Sequence, residues 1–363
     1  MKNLIYLLIV MMGLLSCNRE SQQKEAEKAS VVSINTQTIK KIDVHVHFKQ
    51  DRDYLPAFLK KWNMQAVLID VAIEGDTKIN RSWDEYVVLA KSHPELFWLC
   101  SSLIGVNIDK PDFAEKEIIR LTKEISDGAK MVKVWKNFGM VTKDKSGSFI
   151  QIDDERLQPI WDFLISRNIP VIAHIGEPVQ AWRPLDDPKN PHFGYYTDHP
   201  EYHAYKHSEI PSYETITLAR DTWIESNPEL QILCAHMGSM SHDVNMIAER
   251  LERFPNMYVE PAARFGDLAG QDSKIVKAFF EKYQDRIFFG TDYGNSAKQS
   301  SLSKEDLEKE YDELDASYNR LWKYLSSTDS LEIRNQKTVG LELPPSILHK
   351  VYYQNVAGFL KLE

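Results

Sequence analysis

Eight short apolar runs, each followed by a segment with helical spacing, recur along the chain between residues 42 and 291. They cover residues 42–48, 65–72, 96–104, 129–135, 169–175, 230–235, 257–262 and 287–291. Runs such as Gln231-Ile232-Leu233-Cys234-Ala235 and Pro170-Val171-Ile172-Ala173 are apolar on both faces, as strands of a parallel sheet covered on both sides must be. The spacing of apolar residues predicts helices over 54–62, 82–91, 113–126, 153–167, 213–226, 243–253 and 274–283. His93-Pro94, Gly128 and Asn168-Ile169-Pro170 stand where such helices stop. Strand–helix units at a pitch of roughly 35 residues predict a (β/α)8 TIM-type barrel, a single domain over 42–363. An open doubly wound sheet has the same alternation and is the alternative. Residues 176–211 carry no period and read as a lid-like insertion after the fifth strand. Beyond Gly294, an amphipathic helix over 307–325 and a closing helix from Pro344-Pro345 to residue 360 form a C-terminal helical extension.

The first 41 residues read differently. Met1-Lys2, an apolar run over 4–15 and Leu14-Leu15-Ser16-Cys17 have the layout of a signal peptide over 1–17, and the run is too short to span a bilayer. Leu-Leu-Ser-Cys resembles the bacterial lipoprotein processing box, which implies lipidation at Cys17; an uncleaved helix with a buried cysteine is the alternative. Residues 18–41, rich in Gln, Glu, Lys and Ser, read as a flexible tether. The expectation is an exported, lipid-anchored protein of the bacterial cell envelope, on the periplasmic or the outer-membrane face. Cys100 and Cys234, both in apolar runs, read as buried free thiols. A net charge of -9 with no basic run argues against nucleic acid. The expected partner is a small-molecule substrate, with membrane contact only through the N-terminal lipid and a homo-oligomer left open.

In a barrel the chemistry lies at the C-terminal ends of the strands. The first strand, Ile42-Asp43-Val44-His45-Val46-His47-Phe48, alternates so that Asp43, His45 and His47 share a face. Two imidazoles side by side on one rigid element have the spacing of metal ligands, although a half-buried strand with a wet polar face gives the same pattern. The fourth strand carries Lys133, the fifth ends in His174, the sixth in His236, the seventh runs into Arg264 and the eighth ends in Asp292. Four histidines and an aspartate at one end of different strands make a shared site.

Asp43-Val44-His45-Val46-His47, Ile172-Ala173-His174-Ile175-Gly176, Cys234-Ala235-His236-Met237-Gly238 and Phe289-Gly290-Thr291-Asp292 resemble the signature strands of the amidohydrolase superfamily, in particular its amidohydrolase-related branch of metal-dependent hydrolases and decarboxylases. The resemblance covers about 42–362, including Gly340-Leu341-Glu342-Leu343-Pro344 and Tyr352-Tyr353-Gln354-Asn355-Val356. It implies that His45, His47, His174 and Asp292 bind one divalent metal ion, zinc by preference and manganese or iron as alternatives. It also implies catalytic roles for Asp292, as base, and for His236, which would polarise the reacting group or shuttle a proton. Some relatives use a carboxylated lysine on the fourth strand to bridge two metals, a role open to Lys133; a cation that binds a substrate anion is the other reading. Lys136 is expected on the opposite face.

The insertion holds Trp182, Phe193, Tyr195, Tyr196, Tyr202 and Tyr205, aromatic faces suited to a flat or cyclic substrate or to a small core of the loop's own. Arg264, Lys133, Trp182 and Glu177 are the candidate substrate contacts, with Arg264 placed to take a carboxylate in a bidentate grip or to pair with Asp267. The leading reading is a metal-dependent hydrolase of a C–N or C–O bond, amide or lactone type, in a small cyclic or carboxylated substrate. A non-oxidative decarboxylase is the alternative, and a catalytically inactive lipid-anchored binding protein is a third.

Overall fold

The computed structural model describes residues 38–74 and 79–362. The expected signal peptide with Cys17, and the tether as far as residue 37, lie outside the described residues. The expected tether overran the fold, because Ile39 and Lys41 are already buried. Among the described residues, no helix is long and apolar enough to cross a membrane.

Seven parallel strands follow one another around a curled sheet: β1 (Lys41–Phe48), β2 (Met64–Ile69), β3 (Phe97–Ser102), β4 (Ala129–Val134), β5 (Val171–Ala173), β6 (Ile232–Cys234) and β7 (Met257–Val259). Residues 286–292 close the ring. Phe288 N donates to Val259 O at 2.9 Å on one side, and on the other Val44 N donates to Phe289 O at 3.0 Å and Asp292 N to His45 O at 2.8 Å. A short strand, β8 (Tyr293–Asn295), then continues along the end of β1. The expected barrel is therefore present and the open sheet is not.

Helices α1 (Leu55–Lys61), α2 (Trp83–Ser92), α3 (Phe113–Ser126), α4 (Gln158–Arg167), α5 (Tyr213–Ser226), α6 (Val244–Arg253) and α7 (Ser273–Lys282) alternate with the strands. Ser212, Asp243 and Asp272 start α5, α6 and α7 by accepting from backbone N–H groups of the first turn, which relieves donors that have no partner inside the helix. Two apolar layers result. Ile42, Val44, Val67, Ile69, Cys100, Met131, Ile172, Leu233 and Phe288 pack inside the barrel, and Val356, Phe359 and Leu360 from the chain end plug its floor. The outer layer, including Val46, Phe48, Leu68, Val132 and Trp161, packs between strands and helices.

Simple alternation fails in β1. Its pairing with β2 slips between Asp43 and Val46, so Ile42 and Val44 belong to the interior layer while Val46 and Phe48 belong to the outer one. A bulge of this kind re-aims side chains. Asp43 consequently parts from the two histidines and accepts hydrogen bonds from Thr291 Oγ1 (2.6 Å) and Tyr318 Oη (2.5 Å).

Past β8 the polar excursion carries α8 (Lys304–Ser326), started by a reciprocal Ser303–Asp306 capping box. It also carries an antiparallel hairpin, Ser330–Ile333 with Gln336–Val339, which periodicity did not reveal. The closing helix is not uniform: Pro345–His349 and Asn355–Phe359 flank a π-helical turn at Lys350–Gln354.

Candidate metal centre

His45 and His47 reach the barrel mouth from the end of β1, and each is oriented from behind. His45 Nδ1 donates to Glu260 Oε1 at 2.8 Å, and His47 Nδ1 donates to Ile69 O at 2.9 Å. A backbone carbonyl can only accept, so His47 Nδ1 carries a proton and Nε2 is the nitrogen turned toward the mouth. Both Nε2 atoms face the same atom, Asp292 Oδ1, at 3.4 Å from His45 and 3.1 Å from His47. Asp292 holds a left-handed backbone, φ 65°, which is costly outside glycine and collects at functional positions.

His236 occupies a left-handed turn with Met237 and Gly238. Met237 N donates to Glu260 O at 2.8 Å, and Ser239 Oγ donates to Ile175 O at 2.9 Å, which fix the turn. His236 Nδ1 donates to Ala262 O at 2.7 Å, so Nε2 is again the nitrogen turned toward the mouth. His45, His236 and Asp292 offer ligand atoms within 4.8 Å of one another. His174 packs edge-on against His236 with ring centres 4.2 Å apart, and its buried Nε2 has no hydrogen-bond partner.

Electrostatics agree with this reading. Burial, followed by neighbouring charges, pushes the pKa of His45, His174 and His236 well below the usual histidine range, which favours the neutral form that a metal ligand needs. Burial alone would raise the Asp292 carboxyl, but His45, His47 and His236 outweigh it and hold that carboxyl well below its usual range. These residues fit a divalent cation: imidazoles whose Nε2 atoms are turned inward, a carboxylate between them, and an orphaned buried nitrogen at His174.

Glu260 is the functional residue that sequence reasoning missed. It is buried and accepts from His45 Nδ1 and from the His236 backbone N–H (3.1 Å) on one oxygen, and from the Ala262 N–H on the other. Its signal was a lone acid, two residues ahead of Ala262, at the end of the apolar run Met257-Tyr258-Val259.

Lys133 is buried with Nζ 3.3 Å from His45 Nε2, and burial lowers its pKa to about 8. Lys136 corrects the expectation of an opposite face. It is buried at the same mouth, paired with Glu177, donating to Tyr195 Oη at 3.0 Å, and 3.3 Å above the Tyr202 ring. Glu177 also accepts from Tyr196 Oη at 3.1 Å and lies 3.8 Å from Arg264 Nη2. Arg264 does not pair with Asp267, which is held by His192 (2.9 Å) and Ser241 (2.5 Å); its buried Nε has no partner. Trp182 is engaged by the insertion itself, donating to Pro211 O at 3.0 Å and packing on Tyr213. Tyr196, His203 and Tyr205 likewise stack on one another. Cys100 and Cys234 are buried free thiols.

Residues 42–362 match the family described as amidohydrolase. The fold is similar to that of an uncharacterised TIM-barrel protein from Bordetella bronchiseptica, with TM-score 0.50 and 16% identity over 89% of this chain and 99% of that one. It is also similar to 2,6-dihydroxybenzoate decarboxylase from Rhizobium, with TM-score 0.52 and 14% identity over 89% of this chain and 99% of that one. No curated protein matches the chain in sequence.

Proposed function

The chain belongs to the amidohydrolase family, and from that premise we propose that it is a metal-dependent hydrolase cleaving a C–N or C–O bond, of amide or lactone type, in a small cyclic or carboxylated substrate. One observation carries the reading: the Nε2 atoms of His45 and His47 converge on Asp292 Oδ1 while their Nδ1 atoms are committed elsewhere. His45, His47, His174 and Asp292 would hold one divalent ion, zinc by preference with manganese or iron as alternatives. Such an ion supplies Lewis acidity and lowers the pKa of water to about 7.

The chain's own groups complete the chemistry. Asp292, ionised, takes the proton of the attacking water. His236, with Nδ1–H fixed on Ala262 O, presents Nε2 to the reacting group and polarises it or carries a proton. Glu260 orients both His45 and the turn that carries His236. Arg264 takes a substrate carboxylate.

A second reading, non-oxidative decarboxylation, is favoured by one observation. Arg264, Lys133 and Lys136 are buried cations at one mouth, and Arg264 Nε has no partner, a setting that holds a carboxylate. The structurally similar Rhizobium protein is by name a decarboxylase of 2,6-dihydroxybenzoate. The test is a screen of lactones, amides and aromatic acids with zinc- or manganese-loaded protein, scored for acid release and for carbon dioxide. Acid release supports the hydrolase; carbon dioxide without acid release replaces it with the decarboxylase. No turnover of any compound leaves the third reading, a binding protein.

A further inference from the structure

His45 and Asp292 stand on two backbone stretches that run side by side, the end of β1 and the stretch that closes the ring. Regular pairing does not hold either residue in place. The ladder between β1 and β2 slips between Asp43 and Val46, and Asp292 departs from strand conformation with φ 65°. The distance between the two ligands therefore has to be set by side chains.

One carboxylate spans the gap. Asp43 is buried and accepts from four donors, two on each oxygen. Its Oδ1 takes the backbone N–H groups of His45 and Thr291, both at 3.1 Å, so the residue before Asp292 and a metal-facing histidine share one acceptor atom. Its Oδ2 takes Thr291 Oγ1 at 2.6 Å and Tyr318 Oη at 2.5 Å. On its far side Thr291 O accepts from Ala263 N at 3.2 Å. The fourth donor comes from 275 residues along the chain, in the middle of α8. Packing aims it: the Tyr318 ring lies against Phe58, Trp62, Phe289 and Tyr293. Helix α8 is in turn fastened to the region after β1, where Arg52 Nε donates to Glu310 and Trp62 Nε1 to Asp315, both at 2.9 Å. Closure of the ring does not need this carboxylate, because Val44 N to Phe289 O and Phe288 N to Val259 O already join the strands. A buried carboxylate is costly unless its hydrogen bonds are made, and here they are made to the groups flanking the ligands.

We propose that Asp43 and Tyr318 are positioning residues of the metal centre: Asp43 sets the spacing of His45 and Asp292, and Tyr318, from the C-terminal extension, fixes Asp43. The inference rests on the metal-centre reading given above and makes the extension a working part of that centre. Ligands held in place before the ion arrives bind it more tightly, because less ordering remains to be done on binding. Loss of the Tyr318 hydroxyl therefore acts on the affinity for metal and on the geometry around it, through a residue that touches neither the ion nor its ligands' side chains.

The test measures zinc affinity of the full chain by competition with a chromophoric chelator, and the visible spectrum of the cobalt-loaded protein, whose ligand-field bands report coordination geometry. Tyr318→Phe and Thr291→Val, which keep the packing and remove one hydroxyl each, are expected to weaken zinc by about tenfold and to alter the cobalt bands. Thr291→Ser, which restores a hydroxyl, is expected to keep the affinity and the spectrum of wild type. A Tyr318→Phe protein with wild-type zinc affinity or an unaltered cobalt spectrum, whether or not its melting temperature falls, overturns the proposal and leaves Tyr318 a core residue. A Thr291→Ser protein as weak as Thr291→Val also overturns it, since the shape of the side chain and not its hydroxyl would then matter. These outcomes leave the metal-centre reading standing when wild type binds zinc; a folded wild type that binds none overturns both.

Discussion

Glu260 Oε1 lies 2.8 Å from His45 Nδ1, and both side chains are buried. A carboxylate behind a metal-binding imidazole fixes its tautomer and raises its basicity, and losing such a partner typically costs 10–100-fold in metal affinity. Glu260→Gln should therefore weaken zinc binding by about 10–100-fold, measured by competition with a chromophoric chelator, and the fold should survive. Unchanged affinity would reduce Glu260 to a backbone clamp for His236.

In the proposed reaction Asp292 has two tasks, ligand and base. Asp292→Asn keeps the shape and removes the base, so at saturating zinc kcat should fall by about 10²–10⁴. Steady-state kinetics on whichever compound the screen identifies, with zinc content assayed on the same sample, provide the check. Full activity at full metal occupancy would move the base elsewhere.

In the proposed reaction His236 serves catalysis rather than metal retention. His236→Ala should abolish turnover and retain the metal. Because His236 lies within 4.8 Å of ligand atoms of His45 and Asp292, the opposite outcome, loss of the metal, would make it a ligand and leave His174 as its support.

Lys136 and Glu177 form a buried pair that ties the insertion to the end of β4, with Tyr195 and Tyr202 closing over the lysine. Removing one member strands the other charge, at a cost of about 3 kcal/mol. Lys136→Met should raise hydrogen exchange over 193–206 while the barrel strands stay protected. Adding Glu177→Gln should recover part of that protection. Equal exchange in wild type and variant would show that the insertion does not depend on the pair.

Asp267 gives a signed pH dependence. Burial would raise its carboxyl, but the hydrogen bond and charge of His192, with Arg264 and Ser241, outweigh burial and hold it below the ordinary value of 3.8. A carboxyl depressed in the folded state stabilises the protein fully above its unfolded pKa, and the contribution is lost as pH falls through the folded one. The melting-temperature gap between wild type and Asp267→Asn should be constant above about pH 5 and close below about pH 3.8. A gap that widens in acid would reverse the sign.

Much of the barrel was legible because helical periodicity survives in segments like Phe113–Ser126 and Tyr213–Ser226, whose observed bounds coincide with those expected. Strand ends were less so. Alternation assigns Asp43 to the histidines' face, but the bulge in β1 removes it. The same rule sent Lys136 outward, yet β4 ends at Val134 and Lys136 already has a turn backbone, φ -62° and ψ 0°, where a two-residue period no longer applies. Glu260 was hidden in an apolar run. Its place depends on what it touches across the barrel, which no local pattern carries.

The central claim is that His45, His47, His174 and Asp292 hold one catalytic divalent ion. Its most direct test is elemental analysis of the full chain after incubation with zinc or manganese and removal of free metal. The account predicts about one equivalent per chain in wild type and almost none in the His45→Ala, His47→Ala double variant. A folded wild-type protein that retains no metal, or a double variant that retains as much as wild type, would contradict it.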